Sequence, residues 1–414
     1  MGLSVESMRP SLARPSGPLI ALVLLFCAPL LSAKPDPLNH YGFIFSDFAF
    51  ALGPDAAEHG GCPDGFSVGP NQVWMQSAEG ARLPDESDDA YVRRGLIAGI
   101  HEKSPNGIPA CFDPEGMGPD PHYRILSVAN TPASGIDLDT AGDLGGDCAH
   151  QDFLDPSGQA VIDNQFYRAI GCTQDFQSTG QSNSFAIGMF AGEWSILLDL
   201  TGVDHWVNDD AVSVKIAAGA DPIALSASRE ALSWATYALD QKQEFRAETT
   251  GRIVDGVLIT DPVDMQFHFV VNSLRMKRVI QAGRVEARVA ADGSGLAGFL
   301  AGYTPVEAMY DAHMGYRNAT DGNGDLAETR LRLGTAAGAA RVKGRSCNGV
   351  YHAMKEMADA SYDPVVGRCT AISTQYRFAA VPAFIVDVES RSLNDALDGD
   401  LSTGRYNAIT QGEP

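Results

Sequence analysis

Between residue 185 and about residue 305 the chain alternates apolar and polar residues in short runs. No other feature constrains its fold as strongly. Val263, Met265, Phe267, Phe269 and Val271 share one face of a period-two segment, with Gln266 and His268 on the other. A strand turns successive side chains to opposite faces, so such a run buries one face and leaves the other free. Ala211–Ile216 alternates in the same way, as do Val285, Ala287 and Val289. Arg252–Val254 and Val257–Ile259 flank Asp255-Gly256, a dipeptide that tolerates the positive φ of a two-residue hairpin turn. Phe185–Phe190 and Trp194–Leu200 are short apolar runs, and Asp292-Gly293 turns the chain into Leu296–Leu300. At least seven short strands, with turn signals about every 8–15 residues, predict a mainly β fold. The natural architecture for them is an antiparallel β-sandwich of jelly-roll or lectin-like type.

The flanking regions differ in character. Residues 34–180 are rich in Gly, Pro and Asp and read as a loop-rich, acidic, disulfide-containing region. Their one good helical pattern runs from Asp88 to His101, with Tyr91, Leu96 and Ile97 on one side. Residues 181–304 form the predicted sandwich core. Residues 305–386 turn helical. Pro305 suits a helix start, and Val306, Met309, Tyr310 and His313 follow at helical spacing. Ala327–Val342 and Asn348–Ala360 continue the helical pattern, and Tyr376–Val386 predicts a final strand. Residues 387–414 read as a polar, acidic, flexible tail.

Residues 1–33 have the layout of a secretory signal peptide. Arg9 and Arg14 precede the apolar Pro18–Leu31, and Ser32-Ala33 supplies the small residues of a cleavage point. The apolar run is too short to span ~30 Å of hydrocarbon comfortably. An uncleaved anchor is the rival reading. The expected location is secreted or periplasmic, with no membrane span after cleavage. The formal charge of −22 excludes a nucleic-acid backbone as main partner, because phosphate binding needs a basic surface.

Export gives meaning to the cysteines. Beyond Cys27 in the signal there remain Cys62, Cys111, Cys148, Cys172, Cys347 and Cys369, an even set that reads as disulfides. Proximity along the chain favours Cys148–Cys172 and Cys347–Cys369, leaving Cys62–Cys111. Free thiols are the alternative.

Two acidic clusters suggest calcium, which takes six to eight hard oxygen ligands from irregular loops. The first holds Asp137, Asp139, Asp143 and Asp147 among glycines. The second holds Asp321, Asn323 and Asp325 and begins as an EF-hand loop does. It then departs, with Leu326 where that loop needs glycine and Arg332 where it needs glutamate. A solvated acidic loop and a helix-capping turn are the plainer readings of the two. Trp206, Asn208 and Asp209 form the best sugar-binding candidate, an indole for stacking beside groups that bind hydroxyls. Trp206 reads equally well as a loop anchor. His150 and His268 read as ordinary loop and surface residues. There is no nucleophile elbow, zinc helix or phosphate loop. The functional expectation is therefore a secreted or periplasmic binding or structural protein, calcium-stabilised, recognising glycan or another cell-surface component. The alternative is an extracellular polysaccharide hydrolase or lyase, which requires a deep cleft with paired carboxylates.

Overall fold

The computed structural model describes residues 39–53, 60–129, 131–138, 148–174 and 184–388. The predicted signal peptide and the tail beyond Val388 lie outside them. The strands in chain order are β1 (His40–Phe50), β2 (Phe153–Leu154), β3 (Val161–Ile162), β4 (Ile196–Thr201), β5 (Asp209–Ala218), β6 (Ala235–Ala238), β7 (Arg246–Val254), β8 (Val257–Thr260), β9 (Val263–Val271), β10 (Leu274–Val289), β11 (Leu296–Pro305), β12 (Ala360–Asp363) and β13 (Arg368–Val386). The chain is thus mainly β.

All strands except β2 and β3 belong to one 11-stranded sheet. Its path β1–β4–β5–β7–β8–β10–β11–β13 returns to its start, because β13 also pairs with β1. The sheet is ring-like, and its pairings do not describe two sheets laid face to face. Periodicity reports which side chains a strand buries. It does not report whether the ends of a sheet meet, which depends on strand tilt and register. Every pairing around the ring is antiparallel, while β6 adds in parallel to the end of β13.

β1 and β13 close the ring around an aromatic core. An unbroken strand alternation would split Phe43 and Phe45 from Phe48 and Phe50. A register shift between Phe45 and Asp47 resets the phase, as a bulge does by inserting one unpaired residue. Phe45 and Phe48 then come within 5.9 Å of each other. Phe45 stacks on Phe378 at 4.2 Å, and Phe48 and Phe50 stack on Tyr376 at 4.8 and 5.1 Å. Asp47 is released outward to pair with Arg377. A second shift in β10, between Gln281 and Arg284, divides that strand. Its first half pairs with β9 and its second with β8 and β11.

The local turn chemistry matches the sequence at several points. The β7–β8 hairpin turns on Asp255 (φ 51) and Gly256 (φ 77), the positive pair its dipeptide predicts. The helix Asp88–His101 has the predicted bounds, with Ser87 accepting from the Ala90 amide at 3.3 Å. Phe185–Phe190 is a correction. Ser184–Phe190 is a helix, which buries Phe185 and Met189 four residues apart and leaves Ile187 71% exposed. A six-residue apolar run fits either state, and the burial spacing decides it. No described helix is long and apolar enough to cross a membrane.

The predicted pairing of the cysteines is also corrected. The bridges are Cys62–Cys172, Cys111–Cys347 and Cys148–Cys369, with Cα separations of 5.7, 5.0 and 5.7 Å. Two of them tie the loop-rich N-terminal region to the C-terminal helices and β13 across 236 and 221 residues. The cause is topological. β1 lies between β4 and β13, so the chain after it is laid against the last third of the sequence. Sequence proximity cannot register this. The described residues accordingly fall in one compact unit.

Candidate functional site

The first acidic cluster is described only at Asp137, because Asp139, Asp143 and Asp147 lie outside the described residues. Next to Asp137, Ile136 is held by Gln375, which accepts from the Ile136 amide at 3.1 Å and donates to its carbonyl at 2.7 Å. In the second cluster, Asp321 Oδ1 accepts from the amides of Asn323 (2.9 Å) and Asp325 (3.1 Å). That carboxylate is engaged in closing its own turn, as a short side chain does in an Asx turn. Among the described residues no group of three or more His, Cys, Asp or Glu is arranged to hold a metal. Trp206 meets Tyr41 edge-on at 4.5 Å. Asn208 Oδ1 accepts from the Asp255 amide at 3.0 Å, and Asp209 accepts from the amides of Asp204, His205 and Ala211. The three residues lie together at the entry to β5, where Asn208 ties the loop to the β7–β8 hairpin and Asp209 closes the loop's own turn. His150 Nε2 contacts the Ala358 carbonyl at 3.1 Å, and His268 Nε2 contacts Asp240 at 2.9 Å.

The structure assembles a different site. A cleft of about 700 Å³ opens between the helices Pro70–Gln76, Asp88–His101 and Thr329–Val342. This is the size of a small-molecule pocket. Trp74 forms one wall. Its indole lies 5.3 Å from the Tyr91 ring, with the Arg94 guanidinium 4.9 Å over it. Arg94 is held by two hydrogen bonds of 2.9 Å to Glu86, which draw the Glu86 carboxyl down to about 2. Gly95 lies against the indole, where a Cβ would come within 2.9 Å of the ring. The position of Trp74 is thus set by a glycine on the neighbouring helix.

Two carboxyls line the cleft within electrostatic reach of each other. Glu102 follows the last turn of the Asp88–His101 helix, and Asp120 sits on the loop beyond the short helix Pro114–Met117. Asp120 is fixed by the His122 amide at 2.8 Å and by the Ser346 hydroxyl. Ser346 also caps the helix Cys347–Glu356, so one hydroxyl joins the acid to that helix start. Glu102 is exposed at the cleft's edge. Burial, and then the charge of Asp120, raise its pKa. His101, His122 and Asn348 line the same cleft, and the Cys111–Cys347 bridge forms part of its wall. Two carboxyls in one cleft, one of them with a raised pKa, form an arrangement for accepting hydroxyls or for moving a proton.

A second carboxyl pair is enclosed. Asp359 accepts from the Ser373 amide at 2.7 Å. Burial pushes its carboxyl up to about 6, against hydrogen bonds from Ser373 and Asp163. Asp163 and Asp359 are only 3% and 8% exposed, so this pair joins structure to structure.

Sequence reasoning missed Trp74, Glu102 and Asp120. They come from separate segments with no shared motif, and only the tertiary fold brings them together. No protein-family model, curated protein or solved structure matches the chain.

Proposed function

We propose that the protein is an exported, disulfide-braced binding protein that takes a hydroxylated ligand of sugar size, presented by a glycan or another cell-surface component, in the Trp74 cleft. The observation that carries this reading is the cleft itself, lined by an indole and two carboxyls. Indole surface packs on the apolar face of a sugar ring, and carboxylates accept from its hydroxyls. Three disulfides support export, because such bridges persist in oxidising compartments. The accessory calcium belongs to the same reading, with Asp137, Asp139, Asp143 and Asp147 as its first ligand set and Asp321, Asn323 and Asp325 as its second. The test is calorimetric titration of the full chain with a panel of mono- and oligosaccharides. Binding that is lost in Trp74→Ala and weakened in Asp120→Asn is expected. Binding that ignores both variants, or none across the panel, refutes it.

A second reading, an extracellular polysaccharide hydrolase, is favoured by the raised pKa of Glu102. In that reading Glu102 protonates the leaving oxygen while Asp120 serves as base or nucleophile. Turnover of aryl glycosides or oligosaccharides, abolished in Glu102→Gln, would establish it. Binding without turnover leaves the first reading standing.

A further inference from the structure

Arg278 of β10 stands opposite Phe267 of β9 and is 1% exposed. None of its three guanidinium nitrogens has a hydrogen-bond partner among the described residues. Five rings surround its Cζ: Phe185 at 4.2 Å, Phe269 at 4.8 Å, Phe48 and Trp194 at 5.1 Å, and Tyr376 at 5.2 Å. Cation–π attraction explains why the charge is tolerated there. It does not satisfy the N–H groups, which radiate in the guanidinium plane and call for acceptors. Burial draws the Arg278 pKa down to about 10, which leaves the group charged at neutral pH.

The surroundings add donors and positive charge. Trp194 Nε1 and His313 Nδ1 are likewise buried without a hydrogen-bond partner among the described residues. His313 lies 4.6 Å from the Phe269 ring. After burial, the charges acting on His313 are those of Arg278, Lys343 and Arg345, all of them cations. A buried charge normally persists only with a counter-charge and hydrogen bonds. A groove of about 950 Å³ lies on the other side of Phe269, lined by Gly188, Glu193, Phe269, Glu328, Arg330 and Lys343, so that two carboxylates and two cations flank it. Phe269 therefore has the groove and the Arg278 cage for neighbours, and Gly188 lies against Trp194 Nε1.

We propose that the core of the ring binds a small monovalent anion of halide size at the Arg278 guanidinium, reached from the groove beside Phe269. The anion supplies the acceptor and the negative charge that the aromatic cage cannot. The aromatic rings confine the site to a monatomic or similarly compact ion and exclude a bulky oxyanion.

The experiment uses the full chain. Melting temperatures are measured in sodium chloride and sodium bromide against sodium gluconate at equal ionic strength, and crystals soaked in bromide are examined for anomalous scattering. The expected result is a saturable halide-dependent rise of a few degrees, lost in Arg278→Met, with a bromide peak at hydrogen-bond distance from Arg278. Coincident halide and gluconate curves overturn the proposal. So does a halide effect that survives in Arg278→Met, or bromide found only at surface cations, which signals an adventitious ion only. If Arg278→Met fails to fold, Arg278→Lys serves instead and should require more halide for the same shift. Unchanged halide dependence in that variant also overturns the proposal.

Discussion

Replacing Cys111 and Cys347 together by alanine tests both the topology and the way the bridges stabilise it. Taken alone, a bridge closing 236 residues would contribute about 5.5 kcal/mol by restricting the unfolded chain. The neighbouring bridge reduces this. With Cys148–Cys369 intact, the unfolded chain already runs from Cys111 to Cys148, across to Cys369 and back to Cys347. That path is about 60 residues, and closing it is worth about 4 kcal/mol. Both sulfurs lie in buried positions beside the cleft, so the double substitution should also loosen the loop that carries Asp120. The assay is equilibrium urea unfolding without reductant. Stability should fall by about 4 kcal/mol, and the denaturant slope should rise as the unfolded state expands. A loss below about 1 kcal/mol with an unchanged slope would show that the bridge does not act through the unfolded chain. Peptide mapping that finds Cys111 linked elsewhere would refute the pairing itself.

Other outcomes follow from single contacts. Gly95→Ala places a methyl against the Trp74 indole and should cost about 1–3 kcal/mol in thermal or urea unfolding, with weaker ligand binding in the cleft. Asp359, whose carboxyl is raised to about 6, keeps its proton in the folded state where the unfolded chain has lost it. The unfolded state then binds fewer protons, so stability should fall by roughly 2–3 kcal/mol as pH rises from about 4 to 6. Asp359→Asn should flatten that slope in urea titrations across the range. Calcium at a hundred times its dissociation constant should add about 2.7 kcal/mol to stability relative to chelator. Loss of that gain in Asp139→Ala with Asp143→Ala assigns it to the first acidic loop, and loss in Asp325→Ala to the second.

The sequence was most legible where a local rule acts alone. The spacing of Tyr91, Leu96 and Ile97 marked the helix Asp88–His101, and Asp255-Gly256 marked a hairpin, because helical periodicity and turn chemistry involve only near neighbours. β1 was hidden for a specific reason. Its bulge breaks the two-residue period, so Phe43, Phe45, Phe48 and Phe50 do not read as one strand face. Phe185–Phe190 was ambiguous because apolar residues fill nearly all of it. The disulfides were misassigned because distance along the chain carries little information once β1 and β13 are partners. The cleft was illegible for the same reason. Glu102 and Asp120 gain their relation only when the Asp88–His101 helix and Ser346 are brought together.

The pairing of β1 with β13 also sets an order of events. Asp47 and Arg377, which meet across that pair, are 330 positions apart. A ribosome releases β1 long before it makes β13. Until then one flank of β1 and one flank of β11 remain unpaired, and the core aromatics of β1 lack Tyr376 and Phe378 as their cover. Contacts of such long range form late and slowly, with the open flanks able to recruit other chains in the meantime. Completion of the ring therefore waits for β13. A chain shortened before Arg368 should persist as an open, self-associating sheet rather than as a smaller version of the same molecule.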